Sequence, residues 1–214
     1  EARTTAGECH SSITVLYRTR DLARSRRPGW ASAAALRKLA AAILCGAWRH
    51  NESADTKVVA DVAAIPYEQV EEAVVDVLLL DDGPILRAGD LTSLSAPADI
   101  WQLSIEHRVI TKPMLDRFRN AAHEVLGERD PAFDLPPEQR VYAGIYGKER
   151  KHSGALRRGI SEVLRLIAIN EQNLSYIGNG FSAQEFVDGV LRDIPGLASD
   201  YQALASLDSL LPDL

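Results

Sequence analysis

The stretch that decides the fold is Pro66-Tyr67-Glu68-Gln69-Val70-Glu71-Glu72-Ala73-Val74-Val75-Asp76-Val77-Leu78, followed by Asp81-Asp82-Gly83-Pro84-Ile85-Leu86-Arg87-Ala88-Gly89-Asp90-Leu91-Thr92-Ser93-Leu94. Val70, Val74, Val77 and Leu78 recur at i, i+4, i+7 and i+8, the spacing of one buried helix face. Pro66 suits the first turn of that helix. Asp81-Asp82-Gly83-Pro84 reads as a turn. Two short apolar runs, 85–87 and 91–94, then flank a loop whose Gly89 can supply a positive φ, and together they predict a β-hairpin.

Working upstream, Leu36, Leu39, Ile43, Leu44 and Ala47 lie on one face of a helix over 31–48. Ser53 is placed to cap a second helix with Val58, Val59 and Val62 turned inward, ending near Ile65-Pro66. Three helices and a ribbon within about 65 residues form the pattern of a winged helix, an elaborated helix-turn-helix. Downstream the chain reads as helical throughout. A helix around Ile100, Trp101 and Leu103 precedes one capped by Thr111, which carries Leu115, Phe118, Ala122, Val125 and Leu126 and stops at Gly127. A proline-rich crossing leads to a helix through Val141, Tyr142, Ile145 and Tyr146, stopped by Gly147. Ser153 caps a helix with Leu156, Ile160, Val163, Leu164 and Ile167 buried; Ser182-Ala183-Gln184-Glu185 is a capping box; Ser206–Leu211 begins one more. The expected architecture is mainly α: a basic N-terminal arm or end of a preceding domain at 1–30, a winged-helix-like domain with a two-stranded hairpin at 31–95, and an all-helical scaffold domain at 96–214.

Composition agrees. The 214 residues are 46% hydrophobic, 25% charged and only 6% aromatic, which favours packed helices over an aromatic-rich sandwich. No apolar run approaches the roughly 20 residues that cross a bilayer. With neither an initiator Met nor a signal-peptide core, a cytoplasmic piece of a longer protein is expected. Cys9 and Cys45 form no CxxC pair; a disulfide between them is left open but not suggested, and Cys45 reads as a small core residue.

Net charge is −6, unevenly spread. Residues 1–40 hold eight cationic side chains against three acids, so the remainder carries −11. Arg18, Arg20, Arg24, Arg26 and Arg27 form one basic cluster. Lys148, Arg150, Lys151, Arg157 and Arg158, against Glu149, form another. Each fits a solvated helix face or linker, and each fits a docking patch for phosphate or an acidic protein surface.

A winged helix makes DNA reading the first functional hypothesis, with the third helix in the major groove. The chemistry points the other way: 66–80 contains Glu68, Glu71, Glu72 and Asp76 and no Lys or Arg. Carboxylates are repelled by phosphates and release no counterions. No phosphate-binding loop, HExxH, GxSxG or dinucleotide fingerprint occurs, and His10, His50, His107, His123 and His152 lack metal-ligand spacing. No catalytic, cofactor-binding or metal-binding residue is assigned.

Ala47-Trp48, Asn51-Glu52-Ser53-Ala54-Asp55, Pro66-Tyr67-Glu68-Gln69-Val70-Glu71, Phe118, Val125-Leu126-Gly127-Glu128, Asp130 through Glu138, Gly147-Lys148 and Ser153-Gly154-Ala155-Leu156-Arg157 together resemble a region of large bacterial STAND-type NTPases associated with antiphage defence. The likeness covers about residues 40–165, and more loosely His10–Arg18 and the tail. It implies an NTPase module before this region, then a winged helix and helical scaffold, then a helical-repeat sensor that releases the NTPase to oligomerise. This chain lacks the phosphate-binding loop and an effector, so no catalytic residue carries over. The expected role is a non-catalytic connector joining a nucleotide-switch module to a sensor or effector by protein–protein packing, without cofactor, membrane or nucleic acid. The alternative is a DNA-binding winged-helix transcription regulator.

Overall fold

The computed structural model describes residues 28–178, 180–207 and 210. The chain is mainly helical with a small three-stranded antiparallel sheet. Helix α1 (Ala33–Lys38) starts where Ser32 Oγ accepts from the Ala35 amide at 3.2 Å, and a break at Leu39 separates it from α2 (Ala40–Cys45). The helix expected over 31–48 therefore ends three residues early. Gly46 takes φ 71°, turning the chain, and Ala47–Arg49 becomes strand β1. Helix α3 (Ser53–Ala63) follows, with Ser53 inside its first turn and not its cap, and it ends at a left-handed Ala64. Helix α4 (Tyr67–Leu78) begins after Pro66 and buries Val70, Val74 and Val77.

Strands β2 (Ile85–Ala88) and β3 (Leu91–Leu94) form the expected hairpin, with Gly89 at φ 60°. The sheet order is β1-β3-β2, pairing Trp48 with Thr92 and Ile85 with Leu94. The expected helices and ribbon are thus present, but the first helix is broken in two at Leu39 and the ribbon has a third strand. Apolar spacing concealed it, since Ala47 and Trp48 continue the helical stripe of α2 and only the backbone at Gly46 ends that stripe.

Beyond the sheet come α5 (Pro97–Glu106), α6 (Lys112–Leu126), two 3-10 segments (Pro131–Asp134 and Pro137–Tyr146), α7 (Gly154–Ile169), a 3-10 segment at Glu171–Ile177, α8 (Ala183–Arg192) and α9 (Tyr201–Leu207). Two expected caps form: Ser153 Oγ accepts from the Leu156 amide and Ser182 Oγ from the Glu185 amide, each at 3.1 Å. Thr111 makes no side-chain cap bond, Gly127 is right-handed at φ −73°, and the last helix starts at Tyr201 and not at Ser206. No helix of the described residues is long and apolar enough to cross a membrane.

One apolar core continues across residue 95, with Trp48, Trp101 and Phe118 fully buried alongside the inner faces of α2, α3, α6 and α7. Its tightest seam lies where α7 meets the turn between α2 and β1. A Cβ on Gly159 would stand 2.2 Å from the Cys45 carbonyl oxygen and 2.5 Å from the Ala47 amide nitrogen, and a Cβ on Gly46 would stand 2.8 Å from the Gly159 carbonyl oxygen. Beside this contact, Asp55 is fully buried. Its Oδ2 accepts from the Arg49 amide (2.9 Å) and the Ser153 hydroxyl (2.6 Å), and its Oδ1 from the Ser153 amide (3.0 Å).

Gly159→Ala is expected to lower stability. The alanine gains about 1 kcal/mol of helix propensity, whereas overpacking against rigid backbone costs about 3 kcal/mol; urea unfolding should show a net loss. Asp55→Ala strands two amides and a hydroxyl in the interior and should cost about 2–4 kcal/mol. Unchanged unfolding midpoints would remove the seam from the account.

Candidate functional site

Helix α4 shows which of its acids face outward. Glu68, Glu72 and Asp76 are exposed at i, i+4 and i+8, and Val75 and Leu79 sit among them, Leu79 at 83% exposure. Leu86 of β2 adds another exposed apolar side chain. Glu71 turns toward the ribbon instead. Arg87 donates to it twice, Nη1 to Oε1 at 2.7 Å and Nη2 to Oε2 at 3.0 Å, and its Nε donates to Thr92 Oγ1 at 3.1 Å. The Tyr67 hydroxyl donates to Glu71 Oε2 at 3.1 Å and accepts from Trp48 Nε1 at 3.0 Å. Burial works to raise the Glu71 carboxyl, but the Arg87 pair and the Tyr67 hydroxyl outweigh it and hold the group below the ordinary glutamate range. Burial pushes the Tyr67 hydroxyl up to about 12.

The ribbon cation beside α4 is therefore spent on an internal partner. At the far end of the ribbon Arg49 pairs with Asp90 at 2.5 Å. What α4 offers outward is acidic and apolar.

The basic patch expected at 148–158 does not exist as a free surface. Lys148 pairs with Asp134 (3.0 Å), Arg150 with Asp130 (2.7 Å) and Lys151 with Glu124 (2.8 Å). Arg157 is only 4% exposed and donates to the carbonyls of Val125 and, at 3.0 Å, Ser206; burial pulls its guanidinium down to about 10. Arg158 alone of the five is exposed with no carboxylate partner among the described residues. The acids that neutralise this cluster lie 14 to 27 residues upstream in sequence, out of reach of a local charge count. Arg18, Arg20, Arg24, Arg26 and Arg27 lie outside the described residues.

A second surface escaped the sequence reading. Val141 and Ile145 are 87% and 82% exposed, and Tyr142 and Tyr146 are also exposed. The expected helix is a 3-10 segment, in which none of these residues is buried. Arg140 stacks on Phe133 at 5.1 Å, donates to the Leu135 carbonyl, and so fixes the base of this platform.

His152 is buried, its Nδ1 2.8 Å from Glu128 Oε2, and Ser153 serves as a helix cap. Burial and the nearby Asp55 charge push the Cys45 thiol up, which suits an inert core residue; Cys9 lies outside the described residues. Among the described residues no group of His, Cys, Asp and Glu is arranged to hold a metal ion.

Glu71→Gln tests the ribbon network. A carboxyl depressed in the folded state adds stability above its unfolded pKa and loses it as pH falls through the folded one. The variant should be about 1 kcal/mol less stable at neutral pH. That deficit should close as the pH drops below the ordinary value of 4.5. Parallel stability–pH curves for the two proteins would refute the network. No protein family, curated protein or solved structure matches this chain.

Proposed function

We propose that this chain is a non-catalytic connector whose winged-helix-like unit meets polypeptide, coupling a nucleotide-switch module to a sensor or effector of a larger STAND-like protein. One observation carries the reading: the face that a duplex reader would press into a groove presents Glu68, Glu72 and Asp76, while Arg87 is committed to Glu71. Duplex affinity rests on cations displacing counterions from phosphates, and this face supplies none. The exposed Val75 and Leu79 between those acids give a partner something to bury. Charge complementarity sets that partner's chemistry as a basic, partly apolar protein surface.

The 141–146 platform offers a second apolar contact, as a connector with two neighbours needs. The resemblance to STAND-type NTPases supports the identity of those neighbours, a cytoplasmic setting, and self-assembly driven by the switch module. The transcription-regulator alternative now depends on the Arg-rich N-terminal segment alone.

Two measurements separate these readings. The chain mixed with the nucleotide-switch module of its parent should bind it, and Leu79→Arg should weaken that binding at least about tenfold, as loss of an anchor does. A labelled duplex titrated at low salt should show no binding. Indifference of the module to Leu79→Arg, or salt-sensitive duplex binding abolished by changing Arg24, Arg26 and Arg27 to Ala, would overturn the proposal.

A further inference from the structure

Arg87, Arg150 and Arg157 each find a carboxylate or a carbonyl inside the fold, but Arg119 of α6 does not. Its part-buried guanidinium lies 5.0 Å over the Phe186 ring, and its Nε is closed off from solvent. None of its nitrogens meets a hydrogen-bond acceptor or a carboxylate among the described residues. A cation held inward by a ring face alone is uncommon, since buried donors are nearly always bonded.

Arg119 lines a cavity of about 420 Å³ between α6, the turn that carries Gly178 and Gly180, and the first turn of α8. That volume lies in the range of small-molecule sites. Leu115, Ile177, Phe181 and Phe186 form its apolar lining. The two phenylalanine rings stand 6.0 Å apart between centroids, tilted by 40°. A further aromatic or branched side chain packs well on such a pair.

The charged lining is Lys112, Asp116, Arg119 and Glu185. Lys112 Nζ donates to both oxygens of Asp116, at 3.1 and 3.3 Å, so that pair is matched. Glu185 is exposed at the mouth, and no cation among the described residues pairs with it. The cavity thus holds one unmatched cation and one unmatched anion. A lone anion would be repelled by Glu185 and a lone amine by Arg119.

We propose that this cavity binds a small zwitterion with an apolar body, the chemistry of a free hydrophobic α-amino acid. Its carboxylate accepts from the Arg119 guanidinium and its ammonium donates to Glu185. The side chain lies against Phe181 and Phe186. The site shares no residue with α4, and neither reading depends on the other.

Titration calorimetry of the full chain with L-phenylalanine tests the assignment. A Kd of about 1 mM or tighter is expected for a ligand of that size. Hydrocinnamate, which lacks the ammonium, and phenethylamine, which lacks the carboxylate, should each bind at least about tenfold more weakly. Arg119→Gln should weaken L-phenylalanine at least about tenfold, as loss of a charged hydrogen-bond partner does. Glu185→Gln removes charge from an exposed position while still serving a capping box. It should weaken L-phenylalanine and erase the preference over hydrocinnamate. Glu138→Gln, outside the cavity, should bind as the wild type does. Equal melting temperatures show that the variants fold; should Arg119→Gln melt earlier, Glu185→Gln carries the test alone.

No binding of L-phenylalanine at about 10 mM overturns the proposal. So does equal affinity for hydrocinnamate or phenethylamine, or an affinity untouched by Glu185→Gln, which puts the ligand elsewhere.

Discussion

The structure depends on the approach of α7 to the turn between α2 and β1. Gly159 leaves no room for a side chain against the Cys45 carbonyl and the Ala47 amide, and Gly46 faces back with equal lack of space. Two glycines let two backbones touch, and the φ of 71° at Gly46 is one an L side chain rarely adopts. Asp55 fastens the same seam electrostatically. It caps no helix of its own but holds the amide and hydroxyl of Ser153, which in turn caps α7. A buried carboxylate meeting three donors is satisfied, whereas the same group meeting fewer would be a severe liability. The short strand β1 is thus clamped between β3 on one edge and α7 on its face, and it joins the sheet to the rest of the core.

Charge follows a parallel logic. The chain's acids outnumber its bases, yet what matters is which of them find partners inside. The 124–134 stretch supplies Glu124, Glu128, Asp130 and Asp134, and these absorb Lys148, Arg150, Lys151 and the Lys151 and His152 amides. Most of these pairs are partly exposed and individually worth little, but together they order a long crossing that has few apolar anchors. Arg157 goes further inward and holds two backbone carbonyls, so its cation braces the ends of α6 and α9. On α4 no such compensation occurs for Glu68, Glu72 and Asp76 among the described residues. The face that α4 leaves exposed is therefore acidic and apolar, although a linear charge count shows basic clusters as the chain's most prominent feature.

The two bare apolar surfaces differ in origin. Val75 and Leu79 lie on the side of α4 opposite its buried stripe of Val70, Val74 and Val77. Val141, Tyr142, Ile145 and Tyr146 are outward because Pro136 and Pro137 start a 3-10 segment, kinked at Tyr142, whose tight winding and short pieces give it no deep face to bury. Exposed large side chains clustered in this way mark contact surfaces more often than scattered ones do.

By itself the sequence determined the helical class, the hairpin and its Gly89 turn, the stripes of α3, α4 and α7, and the caps at Ser153 and Ser182. Those features are written in local spacing and backbone chemistry, so neighbours within a turn or two suffice to specify them. It also determined that α4 carries acid where a duplex reader needs cations. Tertiary structure alone decided that Ala47–Arg49 is a strand, that Glu71 faces Arg87, that the 148–158 cations are already paired, and that the 141–146 side chains face outward. Each of these depends on partners distant along the chain or on one glycine's backbone torsion. Neither leaves a periodic trace, because a pattern records which residues want burial and not which neighbour will provide it.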